Sequence, residues 1–526
     1  MSDFFNLLSK NETTITTNGA VAYKHIGSSL TDLNFAISTF REKLRNGENI
    51  WSLFEKALKE TPVYTLKWLL YLRDIREGIG EREAFRNLLY NLIINTNVDK
   101  KLIESFNIPE YGRYDDLIDL YFRLCKTKQK QKSSRIEDIK NFILQNIKLQ
   151  ITEDIKNINK PESQISLLAK WLPSENASSK ETRYRAKILS KKLKFNPKQY
   201  RKKLSVLRKR LDIVEKNMSS RKWSNIKYEA VPSKANLLYK EAFLRHDYER
   251  RSRYLDDLNN NRAKINSSVA FPHEIIAKYK NDNYHVLRFD ATYEAMWRSL
   301  NKPENFKETL VVRDGSGSMC TNLCGSKGTI LDVADALSIY CSENNKGYFK
   351  NKFITFSSNS EIVDMSNCLN LAEKINLLES YDDCSNTNVK SVFDLILNTA
   401  LKENLKQKDL PKNVLIISDM EFDSCMIAYG KNTDSLFDEI RKEYNHYGYE
   451  LPKMIFWNLN QYRSDIIPMQ ENSNGLILLS GYSTSLMKIV CSTEIDPFKA
   501  LLNILNSKRY SNINNLSRED IERYFC

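Results

Sequence analysis

Residues 309–319 read Thr309-Leu310-Val311-Val312-Arg313-Asp314-Gly315-Ser316-Gly317-Ser318-Met319. A β-favouring run followed at once by a carboxylate and two hydroxyls at alternate positions, with glycines between, describes a buried strand ending in a tight polar loop. Such a loop turns the oxygens of Asp314, Ser316 and Ser318 towards one point. Further β-rich runs, 350–358, 412–419, 453–459 and 475–481, alternate with helical stretches at 328–344, 368–380, 388–405 and 433–445. Strand–helix alternation with unbroken apolar strands indicates a mostly parallel sheet covered on both faces. Residues 301–526 therefore read as a doubly wound, Rossmann-like α/β domain, in which ligands bind at the carboxyl ends of the strands. Thr387, just before a helix, and Asp419, ending the 412–419 run, return to that same edge. Oxygen ligands of low total charge suit Mg²⁺ or another divalent cation. Arg313 stands where an apolar residue is expected; facing the site, it would weaken metal binding or pair with an anionic partner.

Residues 1–300 read almost entirely as helix. Apolar residues recur at three and four in 50–60, 63–75 and 81–96, each run ending near Gly, Pro or Asn. The turn Arg73-Asp74-Ile75-Arg76-Glu77-Gly78-Ile79-Gly80-Glu81-Arg82 places Gly78 at a helix stop, with another helix starting two or three residues later. In Pro109-Glu110-Tyr111-Gly112-Arg113-Tyr114-Asp115-Asp116 the two aspartates lie at the positive end of the next helix. Helix pairs joined by short turns and stacked in series make a solenoid of HEAT-like character, although no strict sequence period is present.

Charge divides the chain. Lys and Arg total 80 against 66 Asp and Glu, a net +14. Residues 1–300 hold 56 basic and 36 acidic side chains, whereas 301–526 hold 24 and 30. The excess concentrates at 180–253, with 24 basic and 7 acidic residues. Asn196-Pro197 is a cap followed by a first-turn proline, and the spacing predicts a helix from there to about Met218. Tyr200, Leu204, Leu207, Leu211 and Val214 form its apolar seam, which makes Tyr200 a core residue. Arg201, Lys202, Lys203, Arg208, Lys209 and Arg210 fill the other faces. Arg183, Arg185, Lys187, Lys191 and Lys192 precede them, and Arg221 and Lys222 follow. Consecutive basic runs with few acidic neighbours favour a polyanion, with Tyr184, Trp223 and Tyr228 available to stack on bases.

Other classes find little in the sequence. No apolar stretch approaches a membrane span, and the N-terminus lacks the basic start and apolar core of a signal peptide. Nine scattered cysteines read as reduced thiols of a cytoplasm-like compartment. Cys320 and Cys324 have no second pair at zinc spacing, and the five histidines show no paired nucleophile. The Gly78-x-Gly80 turn lacks the strand–glycine–helix context of a phosphate loop. Heavy use of Asn, Ile and Lys fits an AT-rich viral or microbial genome.

The pattern Asp314-x-Ser316-x-Ser318, with Thr387 and Asp419 on later loops, resembles the metal-ion-dependent adhesion site (MIDAS) of a von Willebrand factor A domain. The resemblance implies that Ser316 and Ser318 bind the metal directly, that Thr387, Asp314 and Asp419 do so directly or through water, and that a free coordination position accepts an acidic group. A helical solenoid followed by an A domain is similar to the Ro-type ribonucleoproteins, whose TROVE ring binds small and misfolded RNA. More closely, the chain is identified as a member of a two-domain family of unknown function, through the blocks 16–20, 73–82, 111–117, 169–175, 200–204 and 418–423. The division expected is a TROVE-like helical domain over 1–300 and the A-like domain over 301–526. The function these readings imply is non-catalytic RNA binding through the helical domain, in the cytoplasm, with no membrane partner. The alternatives are an intracellular scaffold gripping an acidic protein through the metal, and a metal-dependent nuclease using Asp314, Asp419 and Asp423, for which the ligand set offers few charges and no obvious base.

Overall fold

The computed structural model describes residues 13–15, 21–23, 28–127, 133–160, 163–211, 213–266, 271–282, 287–300, 307–322, 328–357, 359–382, 389–419, 433–459, 469–471, 476–480 and 497–525. Helix predominates, with a mixed sheet in the C-terminal half. The chain packs as two compact units, one of residues 1–39 and 227–501 and the other of 40–226 and 502–526. The packing boundary thus falls elsewhere than residue 300: the helices of 227–300 belong to the unit that holds the sheet, and the last 25 residues belong to the helical unit.

The sheet unit is built on β1 (Thr309–Arg313), β2 (Lys352–Thr355), β3 (Ile362–Asp364), β4 (Asn413–Ser418), β5 (Lys453–Asn458), β6 (Met469–Glu471) and β7 (Leu476–Ser480), in the order β3-β2-β1-β4-β5-β7-β6. The central pairings β2–β1, β1–β4, β4–β5 and β5–β7 are parallel; β3 and β6 run antiparallel to β2 and β7. Every residue of β1 is buried, which is why its run carries no polar alternation. Leu310 and Val312 pack with Val392, Phe393 and Ile396 of the helix Val389–Lys402 and with Ile440 and Tyr444 of Thr433–His446. The opposite face of β1 meets the helix Ile330–Asn344, itself packed on Pro272–Asp282. Helices therefore cover both faces, and parallel β1 and β4 end together at Arg313 and Ile417.

Arg313 is buried, its guanidinium held by two carboxylates while its Nη1 lies beside Gly315 of the loop that follows. It is 1% exposed, and its Nε and Nη2 donate to Asp335 Oδ1 and Asp382 Oδ1, each at 2.5 Å. Lys280 reaches the other oxygen of Asp335 at 2.6 Å. Asp335 is fully buried, and burial alone would hold its carboxyl neutral; the two cations instead hold it below the ordinary carboxylate range. Gly315 is obligatory beside this pair, since a Cβ there would stand 2.8 Å from both Arg313 Nη1 and the Tyr381 carbonyl.

In the helical unit, Pro62–Arg73 and Glu83–Asn95 are joined by a loop that leaves the helix at Arg73 rather than at Gly78. Gly78 fits because the chain doubles back on the helix end: a Cβ would lie 2.1 Å from the Tyr71 carbonyl. Arg73 Nε and Asp116 Oδ2, 2.8 Å apart, are 2% and 0% exposed, and Arg86 answers Asp116 Oδ1 at 2.7 Å. Asp115 and Asp116 occupy the first turn of Tyr114–Cys125, as the sequence indicates.

The tail 502–526 closes the unit. Arg509 grips Asp74 with Nε at 2.8 Å and Nη2 at 3.0 Å, and Glu110 with Nη1 at 2.7 Å. Tyr510 stacks on Tyr111 and donates to Asp74 at 3.1 Å. Burial opposes ionisation of Asp74, yet the bonds from Arg509, the Arg76 backbone and Tyr510 hold its carboxyl below the usual range. Among the described residues no helix is long and apolar enough to cross a membrane.

Arg509→Ala leaves Asp74 buried without its cation, so urea denaturation should show a loss of about 3–5 kcal/mol. Arg518→Ala, which removes an exposed pair with Glu522, should change stability by less than about 1 kcal/mol; equal effects from the two would refute the role given to Arg509.

Candidate functional site

Four of the five oxygen donors named from the sequence converge where β1 and β4 end. Asp314 Oδ1 accepts the Ser316 amide at 2.9 Å, and Ser418 Oγ donates to its Oδ2 at 2.5 Å. The loop so held sets Ser316 Oγ 3.0 Å from Ser318 Oγ, which donates to Asp419 Oδ1 at 3.0 Å. Burial pushes the Asp419 carboxyl above the ordinary range, with the nearby Asp314 charge adding to it and the Ser318 bond opposing it. Neighbouring ligands of an octahedral ion with bonds of about 2.1 Å stand about 3 Å apart. The spacings along Ser316, Ser318 and Asp419 are hydrogen bonds of similar length, and all donors are hard oxygens of the kind that Mg²⁺ takes. Thr387 and Asp423 lie outside the described residues. Among the described residues no three His, Cys, Asp or Glu side chains gather as a metal-binding group; the cluster depends on its hydroxyls. Arg313 gives its Nε and Nη2 to Asp335 and Asp382 and not to these oxygens, while its Nη1 stays close to Gly315 of the same loop.

The basic candidates on 180–222 lie within the helical unit. Ser179 caps the helix Lys180–Lys192, and Asn196 caps Pro197–Arg210 through a box in which Asn196 Oδ1 accepts the Gln199 amide at 2.8 Å. The second helix stops at Arg210, short of Met218, and a further helix spans Val214–Ser219. Lys216 Nζ makes the break tolerable by donating to the carbonyls of Arg208, Lys209 and Leu211. Leu204 and Leu207 are buried, and Tyr200, 1% exposed, donates to the Pro173 carbonyl at 2.9 Å.

Exposure sorts the cations. Lys187, Lys191, Lys192, Arg201, Lys202, Lys209, Arg210, Arg221 and Lys222 are exposed. Arg201 holds Glu175 at 2.8 Å, whereas Lys187, Lys191, Lys192, Lys202, Lys209, Arg221 and Lys222 have no carboxylate partner among the described residues. Arg183, Arg185, Lys203 and Arg208 are half-buried. Arg183 donates to the carbonyls of Ala177 and Ser178, Arg185 pairs with Glu181 and covers Phe122, and Lys203 lies over Phe195. Arg208 is fully committed inside the fold, donating to Ala169 O at 2.8 Å, Leu172 O at 2.6 Å and Ser174 Oγ. It fastens residues 169–174 to the helix Pro197–Arg210, alongside Tyr200, which bonds Pro173, and Arg201, which bonds Glu175. Of the aromatic candidates, Tyr184 is 63% exposed, Trp223 is half-buried, and Tyr228 is buried in the other unit, stacked on Tyr254.

Comparison with known proteins adds kinship without a role. One family model, Domain of unknown function (DUF2828), matches residues 144–309, and a second, Domain of unknown function (DUF7788), matches residues 308–511. An uncharacterised protein of Acanthamoeba polyphaga mimivirus is 30% identical over 518 residues, covering 93% of this chain and 86% of that protein.

Arg208→Ala strips hydrogen bonds from half-buried carbonyls and should lower stability by about 2 kcal/mol in chemical denaturation. Lys209→Ala, one residue on and exposed, should stay within about 0.5 kcal/mol. Indistinguishable variants would show that Arg208 is a surface residue after all.

Proposed function

Because the chain belongs to a two-domain family of unknown function, we propose its role from its own residues: it is a non-catalytic RNA-binding protein with a separate divalent-cation site. The observation behind this reading is the exposed, unanswered charge of Lys187, Lys191, Lys192, Lys202, Lys209, Arg221 and Lys222 on one run of helices. Cations left without local carboxylates repel one another, and phosphates relieve that repulsion while releasing counterions. Tyr184, exposed beside Arg183 and Arg185, offers a face for a base. Helices that pack on their neighbours in sequence across short connections support a solenoid-like, TROVE-like reading of this unit. The RNA class that the Ro resemblance implies is small or misfolded RNA.

A mixed sheet with helices on both faces, and a hydroxyl–carboxylate cluster at the ends of its central strands, supports the von Willebrand factor A reading of the other unit. Asp314, Ser316, Ser318 and Asp419 would hold Mg²⁺, with Thr387 as the fifth donor of the motif. The ion would supply a positive centre to which an acidic group can bind. Ser418 fixes Asp314, and the Asp314 carboxylate fixes the loop through the Ser316 amide. A scaffold that grips an acidic protein through this ion is the second reading; the small number of carboxylates in the ligand set favours it over a two-metal nuclease.

RNA affinity should fall linearly with salt on logarithmic axes, with a slope of roughly −0.7 for each phosphate neutralised on a single strand. Reversing charge at Lys191, Lys192, Lys202 and Lys209 should weaken binding at least about tenfold for any RNA sequence, measured by fluorescence anisotropy. Asp314→Ala or chelation should leave RNA affinity unchanged while releasing any protein partner bridged by the metal. A flat salt dependence contradicts the RNA reading.

A further inference from the structure

The loop 74–82 and the helix Tyr114–Cys125 line, with the end of the helix Ile37–Arg45, an open surface cavity of about 700 Å³ on the helical unit. Its lining includes five arginines, Arg45, Arg73, Arg82, Arg113 and Arg123, against two carboxylates, Glu81 and Glu83. Three of the five are answered. Arg73 is paired with buried Asp116, Arg123 with Asp119 at 2.5 Å, and Arg82 with Glu83 at 3.0 Å. Glu83 is already shared, standing 3.9 Å from Arg86 and 3.8 Å from Arg123. Arg45 and Arg113 have no carboxylate partner among the described residues, and the Arg113 guanidinium lies 5.0 Å over the Trp171 ring.

The wall is fixed before any ligand arrives. The Ile79 and Glu81 amides donate to the Tyr71 and Leu72 carbonyls at 3.0 and 2.8 Å, and Arg509 pins Asp74 at the start of the loop. A preorganised concave site loses little conformational freedom on binding. Its volume lies in the range that holds a small ligand. Two guanidinium groups without carboxylate partners complement in charge the roughly two negative charges of a phosphate monoester.

We propose that this cavity binds the phosphate monoester of a nucleotide-sized ligand, with Arg45 and Arg113 taking the phosphate oxygens. The inference goes beyond the RNA-binding face at 187–222 and uses none of its residues. The ligand chemistry is common to a free nucleoside monophosphate and to the 5′-phosphorylated end of an RNA strand.

Calorimetric titration of the full chain tests it, with adenosine 5′-monophosphate, adenosine, and one short oligoribonucleotide carrying either a 5′-phosphate or a 5′-hydroxyl. The monophosphate should bind and adenosine should not. Arg45→Gln and Arg113→Gln should each weaken the monophosphate tenfold or more; Arg45→Gln should leave the thermal midpoint unchanged, and Arg113→Gln should lower it only slightly, through loss of the Trp171 contact. Tighter binding of the 5′-phosphorylated strand than of the monophosphate assigns the site to strand ends; the reverse assigns it to free nucleotides. Charge reversal at Lys191, Lys192, Lys202 and Lys209 should leave the monophosphate affinity unchanged, so failure of the RNA face and failure of the cavity read differently. Equal behaviour of adenosine and its monophosphate, or unchanged affinity in the Arg45→Gln/Arg113→Gln double variant, overturns the proposal.

Discussion

Arg73 and Asp116 face each other at 2.8 Å with almost no access to water, and much of the helical unit is arranged to keep that charge pair answered. A buried ion alone is costly by several kcal/mol, so each must find partners within the fold. Arg86 supplies the second bond to Asp116, and Asp116 accepts the Arg113 amide at the start of its own helix. A few residues away the same demand recurs at Asp74, and there the answer comes from Arg509 and Tyr510 near the end of the chain. The tail is thereby a structural member of the helical unit. The sheet unit obeys the same rule with different residues, where Asp335 is held between Arg313 and Lys280.

That constraint separates two kinds of basic residue. Arginines whose guanidinium is enclosed have their partners and position backbone, as Arg208 does for the 169–174 segment. Lysines and arginines left on exposed helix faces have none, and their field is available to a polyanion. Arg45 and Arg113 are an intermediate case, unanswered but facing a concavity. Net charge alone blends all three. The oxygen cluster at the end of β1 and β4 follows a different logic, since its carboxylates are few and its hydroxyls supply the remaining donors.

The strands were legible because burial on both faces demands unbroken apolar runs, as in Val414–Ile417. The helix start at Asn196-Pro197 was legible because a cap and a fixed φ act locally. The meeting of Asp314, Ser316, Ser318 and Asp419 could be read from the sequence because parallel strands deliver their carboxyl ends to one edge. What the sequence left hidden was decided by single side chains over long separations. Lys216 reaches back to end the helix at Arg210, Arg313 turns to Asp335, and Arg509 crosses some 400 residues of sequence to Asp74. Packing also divides the chain after 39, 226 and 501, although the two family matches meet near 308. The arginine cavity is assembled from separate turns, and a basic residue in a turn carries no mark of what it faces. The Arg and Gly content of 73–82 and 111–117 was the available signal, and it also fits a plain helix connection.

Ultraviolet cross-linking of the full chain to bound RNA, with mass spectrometric mapping of the linked peptides, tests the central claim most directly. Cross-links within residues 180–222 are the predicted result. Cross-links confined to residues 309–419, or none from a chain that retains its fold, would contradict the assignment of RNA binding to the unanswered charges of the helical unit.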